Sequence, residues 1–319
     1  MRLRRPGGAM RQLLAAALTL AWLGLGAAMP AAVAEALAPK LAGTPEDVFK
    51  AFVDALRAGD RAAVLRMLGP EGKQIVSSGD DVHDRTAWRR FVEKYDQAHR
   101  LEASGGRIEL VVGTDNFPLP IPLVPAGEGW RFDTEAGLEE ILLRRVGRNE
   151  LNTMQVCLAI VDAQREYYAL GAGRGGMLEY AQRLVSTPGK RDGLYWPTKP
   201  GEPASPLGEL AARARSAGYR GDTKQPAPFY GYIYRLLTAQ GPDAPGGAYG
   251  YVVRGHMIGG FGVVAFPARY GDSGVMTFIV SHDGVVYQKD LGPQTAATAN
   301  AMKTFNPDAT WKKVDVPAR

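Results

Sequence analysis

The chain has 319 residues, 45% of them hydrophobic and 22% charged, which excludes a disordered or fibrous protein and allows two ordinary domains. The formal net charge is +5 and the pI is near 9.2. Four Arg and no acid fall in positions 1–34, so the charge drops to +1 without them; no basic domain remains to argue for a nucleic-acid partner.

Residues 1–34 read as an export signal. Arg2, Arg4, Arg5 and Arg11 form a basic start, Leu13 to Ala28 an apolar run, and Ala32-Val33-Ala34 a small-residue cleavage site. The run is shorter than the ~20 apolar residues of a stable span. Cleavage after Ala34 is therefore expected over an uncleaved anchor, with a periplasmic or secreted product and no membrane span in it. No Cys follows the site, so lipid attachment is not expected.

Thr44-Pro45-Glu46-Asp47 opens a helix with a Thr cap, Pro in the first turn and acids near the positive end of the dipole. Val48, Phe49, Phe52, Val53 and Leu56 give it an apolar stripe. Asp60 caps a second helix carrying Val64, Leu65 and Leu68. A third starts near Asp84 with Trp88, Phe91, Val92 and Tyr95. Strands are expected at Arg107–Val112, Leu119–Val124 and Trp130–Phe132. Pro118, Pro120 and Pro122 put the middle strand at a sheet edge or bulge. Asp80, Asp81, His83 and Asp84 form the dense polar cluster of this half and read as a solvated loop.

A long helical signal follows from Asp133 to Leu170, with Asp133 or Thr134 as its cap. Leu138, Ile141 and Leu142 form one apolar cluster; Leu151, Met154, Leu158 and Val161 form a second, rotated from the first. A continuous helix with a phase change and two helices broken at Gly147 fit equally well. Gly171 and the glycines after it stop the helix. GAGRGG at 171–176 lacks a preceding strand and the lysine of a phosphate loop, so no nucleotide cofactor is expected.

A loop-rich passage, Gly171 to Gln225, contains a short helix at Leu207–Ala217. Strands are expected at Phe229–Leu237, Tyr249–Val253, Gly260–Phe266, Val275–Val280 and Val285–Lys289. Asp283-Gly284 supplies the positive φ of a tight hairpin. The pattern is an antiparallel meander, closed by a helical tail at Thr295–Lys303 and by Trp311. The expected class is α+β: helices on a curved antiparallel sheet over 35–147, then a meander packed on a helix over 148–319.

Candidate chemistry is sparse. Cys157 sits beside the apolar stripe with no His near it in sequence, and reads as a packed thiol. Ser281-His282-Asp283 is a hairpin end, since adjacent strand residues point to opposite faces and a triad must converge. His256 lies in the turn before Gly260 with no ligand-spaced partner, so no metal is expected. Asp162 and Glu166 share a helix face with Arg165 and Arg148 at hand to neutralise them. The binding candidates are Tyr230, Tyr232 and Tyr234, on one face of a strand. Exposed, such rings would take a glycan or a partner protein; facing the helix, they are core.

Three resemblances sharpen this reading. AFVDALRAGDRAAVLRML at 51–68, followed by strands, resembles the nuclear-transport-factor-like cone fold, which implies a pocket between helix and sheet. GRNELNTMQVCLAIVDAQREYY, FYGYIYRLLTAQGPDAPGGAYGYVV and GGFGVVAFPARYGDSGVMTFIVSHDGVVYQKDLG closely resemble a bacterial family, domain of unknown function 2950, from about Thr44 to Val314. Asn149-Glu150, Tyr232, Tyr234, Gly260-Phe261, Val263, Ala265, Pro267, Gly271, Gly274, Phe278, Val280 and Gly284-Val285-Val286 resemble the globular domains of type IV pilins and pseudopilins. No prepilin cleavage site and no apolar helix precede Asn149, so the resemblance implies a soluble pilin-like module. The expected function is an exported, non-enzymatic module that contacts an envelope protein or polysaccharide. The alternative is a small-molecule-binding or hydrolytic enzyme using a pocket of the first half, with Asp81, His83 or Asp84 pointing inward.

Overall fold

A computed structural model describes residues 39–171, 177–199, 201–219 and 227–316. The expected export signal at 1–34 and the GAGRGG run beyond Gly171 lie outside the described residues.

The first half is built on four helices. In α1 (Pro45–Ala58) the Thr44 hydroxyl accepts from the Asp47 N–H while the Asp47 carboxylate accepts from the Thr44 N–H, a closed capping box. Gly59, at φ 68°, ends it. Asp60 caps α2 (Arg61–Leu68) by accepting from the Ala63 N–H. A single extra turn, α3 (Gly72–Val76), precedes α4 (Asp81–Gln97). The strands β1 (His99–Ser104), β2 (Arg107–Val112), β3 (Phe117–Pro118), β4 (Leu123–Ala126) and β5 (Gly129–Phe132) form an antiparallel sheet in the order β1-β2-β4-β5, with β3 also on β2. Phe132 meets Phe49 and Phe52 with ring centroids 5.7 and 5.0 Å apart. Each such buried ring contributes roughly 1.5–3 kcal/mol through its apolar area.

Of the strand expected at Leu119–Val124, only Leu123 and Val124 are in a strand, β4, while β3 lies just before the expected range. Pro118, Pro120 and Pro122 have no N–H to donate, so the ladder on β2 lapses after the Leu119 N–H, which donates to the Leu110 carbonyl at 2.8 Å, and resumes at Leu123.

Helix α5 (Thr134–Ala169) runs 36 residues without a break at Gly147, about 54 Å at 1.5 Å per residue. The Asp133 side chain does not cap it; its carboxylate pairs with Arg107 instead. Ile141 packs against the core of the first half. Met154, Val156, Cys157, Ile160, Val161 and Tyr167 enter a second core. One helix thus serves two cores, which explains the phase change in its apolar pattern.

Helix α6 (Gly208–Ser216) is followed by β6 (Tyr232–Leu237), β7 (Ala239–Gln240), β8 (Tyr249–Gly250), β9 (Val252–Val253), β10 (His256–Met257), β11 (Gly262–Pro267), β12 (Met276–Ser281), β13 (Val286–Asp290), α7 (Thr295–Ala301), β14 (Thr304–Phe305) and β15 (Lys312–Val314). The main sheet is antiparallel in the order β15-β13-β12-β11-β6. Alternation along β11 and β12 divides its faces. Val263, Ala265, Phe278 and Val280 share the core that α5 enters. Val264, Phe266 and Ile279 join Ala299 of α7 and Phe305 of β14 in a third core. The small β14–β7 pair is parallel, an exception to the expected meander. The strand expected at Tyr249–Val253 divides at Tyr251, which is fully buried. Among the described residues, no helix is long and apolar enough to cross a membrane.

Candidate functional site

The three tyrosines do not form an exposed row. Tyr230 precedes the strand, at φ 51°, and Gly231 follows at φ 76°. Pairing with β11 therefore starts at Tyr232. Tyr232 is fully buried and donates to the Met276 carbonyl at 2.9 Å. Tyr234 packs on the same core, its hydroxyl 3.2 Å from Thr153 Oγ1. Burial pushes both hydroxyls well above their ordinary pKa. Tyr230 instead packs against Phe229 with the rings tilted, 4.2 Å between centroids.

The acidic cluster is not a solvated loop. Asp80 is 1% exposed and caps α4, accepting from the His83 N–H through Oδ1 at 2.9 Å. Its Oδ2 accepts from the Tyr219 hydroxyl at 2.7 Å and the Gly231 N–H at 2.9 Å. Asp84, also buried, accepts from the Ser78 N–H and hydroxyl. Asp81 is exposed and pairs with Arg61. Burial holds the His83 imidazole below its ordinary pKa, against the pull of Asp80 and Asp84. Nearby, Arg145 donates to the Gln74 and Ile75 carbonyls, Arg269 to the Ser77 carbonyl, and Asn149 to the Ser273 carbonyl. A hollow of about 510 Å³ opens beside this network at Asp81, Val82, Arg85 and Tyr219. The network itself is committed to joining chain segments, because buried polar groups without partners cost several kcal/mol.

Ser281 Oγ lies 3.4 Å from Asp283 Oδ2, and His282 Nε2 3.7 Å from Asp283 Oδ1. The carboxylate sits between serine and histidine, so no serine–histidine contact activates the hydroxyl. Gly284, at φ 80°, completes the turn. Cys157 is fully buried, and burial alone pushes its thiol up to about 12. Arg165 pairs with Asp162 at 3.6 Å and donates to the His282 carbonyl, anchoring that helix face to the hairpin end.

His256 is a correction. It lies on β10, and its Nδ1 is 3.0 Å from the buried Glu179 carboxylate. The partner is 77 positions away, beyond any local spacing rule. Among the described residues, no group of three or more His, Cys, Asp or Glu is placed to hold a metal.

Glu179 belongs to a larger groove of about 940 Å³ at the C-terminal end of α5. Tyr167 from the helix lines it together with residues between Glu179 and Asp192, among them Tyr180, Arg183, Lys190 and Arg191. Three links hold the wall in place. The Tyr180 N–H donates to the Met257 carbonyl at 2.8 Å, Gln182 Nε2 to the Gly255 carbonyl at 2.8 Å, and Glu179 meets His256. Tyr167 donates to the Arg191 carbonyl, fixing the opposite wall. Asp192 accepts from the Thr187 N–H and hydroxyl, and those bonds help hold its carboxyl below the usual range. Arg183 and Lys190 are exposed, and among the described residues neither forms an ion pair. Arg191 lies over the Trp196 ring, 5.4 Å from its centroid, and reaches the Glu202 carboxylate at 4.0 Å across an exposed surface. Arg183 also acts on the Asp192 carboxylate, so the groove presents three solvent-facing cations, with Lys190 the one that has no carboxylate interaction among the described residues, as an anion-accepting surface requires.

These features define an α+β protein with two helix-backed antiparallel sheets sharing one long helix and a cation-lined groove at the end of that helix. Over residues 40–314 the chain matches the family described as "Protein of unknown function (DUF2950)", and it belongs to that family. No curated protein and no solved structure gives a match.

Proposed function

We propose that this is an exported protein of the bacterial envelope that acts by binding rather than by catalysis. The carrying observation is the groove at the end of α5, where Arg183, Lys190 and Arg191 face solvent, Arg191 with a long, exposed pairing to Glu202, while Glu179 meets His256 and Asp192 accepts from Thr187. The basic, apolar and small-residue order of positions 1–34 supports export. The pilin-like pattern between Asn149 and Val286 supports contact with an envelope partner over the C-terminal half. The alternative, a pocket enzyme in the first half, has less support, because Asp84 is bound to Ser78 and Asp81 to Arg61.

The test is retention. Residues 35–319 are purified and mixed with isolated cell-wall polysaccharide and, separately, with envelope proteins under crosslinking. Co-sedimentation or one discrete crosslinked partner is expected. Turnover of ester, peptide or glycan substrates with no retention on either would overturn the proposal.

A further inference from the structure

Nine large apolar side chains are exposed among the described residues, and six of them gather around the groove. Leu170 ends α5. Met177, Leu178 and Val185 lie on the wall segment. Val253 and Ile258 flank the β9–β10 hairpin that this segment pairs with. Their exposures run from 44 to 55%. Isolated exposed apolar residues are ordinary, but a gathering of them on neighbouring segments marks an interaction surface. Cations share the place: Arg183, Lys190 and Arg191 in the groove, and Arg254 at the hairpin tip. Arg254 has φ 51° and Gly255 φ 86°. These are the two positive values of a type I′ turn, where Asn, Asp or Gly is the usual first residue. The tip accepts that backbone cost and carries a guanidinium between exposed Val253 and Ile258.

Apolar tips interleaved with cations are the chemistry of a surface that enters the headgroup layer of an anionic membrane. A polysaccharide would use the cations and leave Leu178, Val253 and Ile258 without a purpose. A purely apolar partner would leave Arg183 and Lys190 without one. The geometry points to the β9–β10 hairpin and the 177–192 segment as a peripheral docking face for anionic phospholipid, with phosphates held by Arg183, Lys190 and Arg191 and the apolar residues lying among the acyl chains. This rests on the proposed envelope location, and it names the partner of the same groove.

The test is co-flotation of residues 35–319 with vesicles of phosphatidylcholine alone and with one quarter phosphatidylglycerol. Binding is expected only to the anionic vesicles and is expected to weaken in 0.5 M salt. Replacing Arg183, Lys190 and Arg191 together with Gln should lower partitioning on the order of 100-fold, at about fivefold for each basic residue near the surface. The pair Leu178→Ser and Ile258→Ser should lower it at least tenfold with an unchanged melting temperature, since both side chains are exposed. Equal binding to both vesicles, no binding, or competition by free glycerol phosphate or a soluble polyanion at the same strength would overturn the lipid assignment. Wall-polymer retention is measured on the same preparations. If the polymer is retained and vesicles are not, only the lipid assignment fails. If neither is retained and no protein partner crosslinks, the envelope-binding reading fails with it.

Discussion

Asp80 and Gly231 lie 151 positions apart, yet the Asp80 carboxylate accepts the Gly231 N–H at 2.9 Å. The same oxygen takes the Tyr219 hydroxyl, and the other oxygen caps α4. One buried carboxylate therefore joins the first half of the chain to the start of β6. Asp80→Ala would take the acceptor from three donors, the buried Gly231 N–H and the half-buried Tyr219 hydroxyl and His83 N–H, at a cost of about 3 kcal/mol or more. Asp80→Asn should recover less than half, because one of its two terminal atoms becomes a donor facing a donor. Urea unfolding of both variants checks this; a loss below about 1 kcal/mol in the Ala variant would show the clasp to be incidental.

Tyr232 tests core against recognition. Its ring is fully buried beside Phe278, and its hydroxyl reaches the Met276 carbonyl. Tyr232→Ala should cost about 3–5 kcal/mol, and Tyr232→Phe about 1 kcal/mol for the lost hydrogen bond. Retention on envelope material should follow the folded fraction and nothing else. Weakened retention by a fully folded Tyr232→Phe protein would return this residue to the binding candidates.

These cases show where sequence reading stops. Thr44 and Asp60 were legible as caps because their partners lie three residues away. β11 and β12 were legible as strands because they are short apolar runs bounded by turn residues, but their division between two cores was not, since β11 is buried on both faces. β1 was not, since His99–Ser104 is almost wholly exposed and carries no burial rhythm. Asp80 reads in sequence as part of a loop before a helix starting near Asp84, whereas α4 begins at Asp81 with Asp80 as its cap; its bonds to Tyr219 and Gly231 have no local signal at all. The groove depends on Glu179 meeting His256 and on the Tyr180–Met257 bridge. Contacts of that range follow from tertiary packing, which leaves no local spacing to recognise.

Cys157 gives a pH dependence. Its thiol would ionise near 9 in the unfolded chain and is pushed up to about 12 by burial. Above pH 9 the unfolded state loses a proton that the folded state keeps. Stability is therefore fully present below pH 9 and falls as pH rises toward 12, at up to about 1.4 kcal/mol per pH unit. Replacing Cys157 with Ala should remove this contribution while costing packing at neutral pH. At pH 8 a thiol-specific reagent should label the folded protein only as fast as it opens. Immediate labelling of native protein would contradict the burial.

Gly147 decides how the long helix works. It sits in the exposed middle of α5, and a Cβ there would meet nothing within 4 Å. Glycine in such a position costs roughly 0.5–1 kcal/mol relative to alanine, because the unfolded chain has more freedom to lose. If α5 is one rod shared by two cores, Gly147→Ala should raise the urea midpoint without changing the slope of the transition. If the chain instead hinges there, alanine should leave stability unchanged or lower it, and scattering should show the two halves moving independently. A stiffer rod also transmits any displacement at the groove end, near Tyr167, toward Ile141 in the first core. Fluorine labels placed in the first half should therefore report occupancy of the groove more strongly in the Ala variant than in its Gly parent.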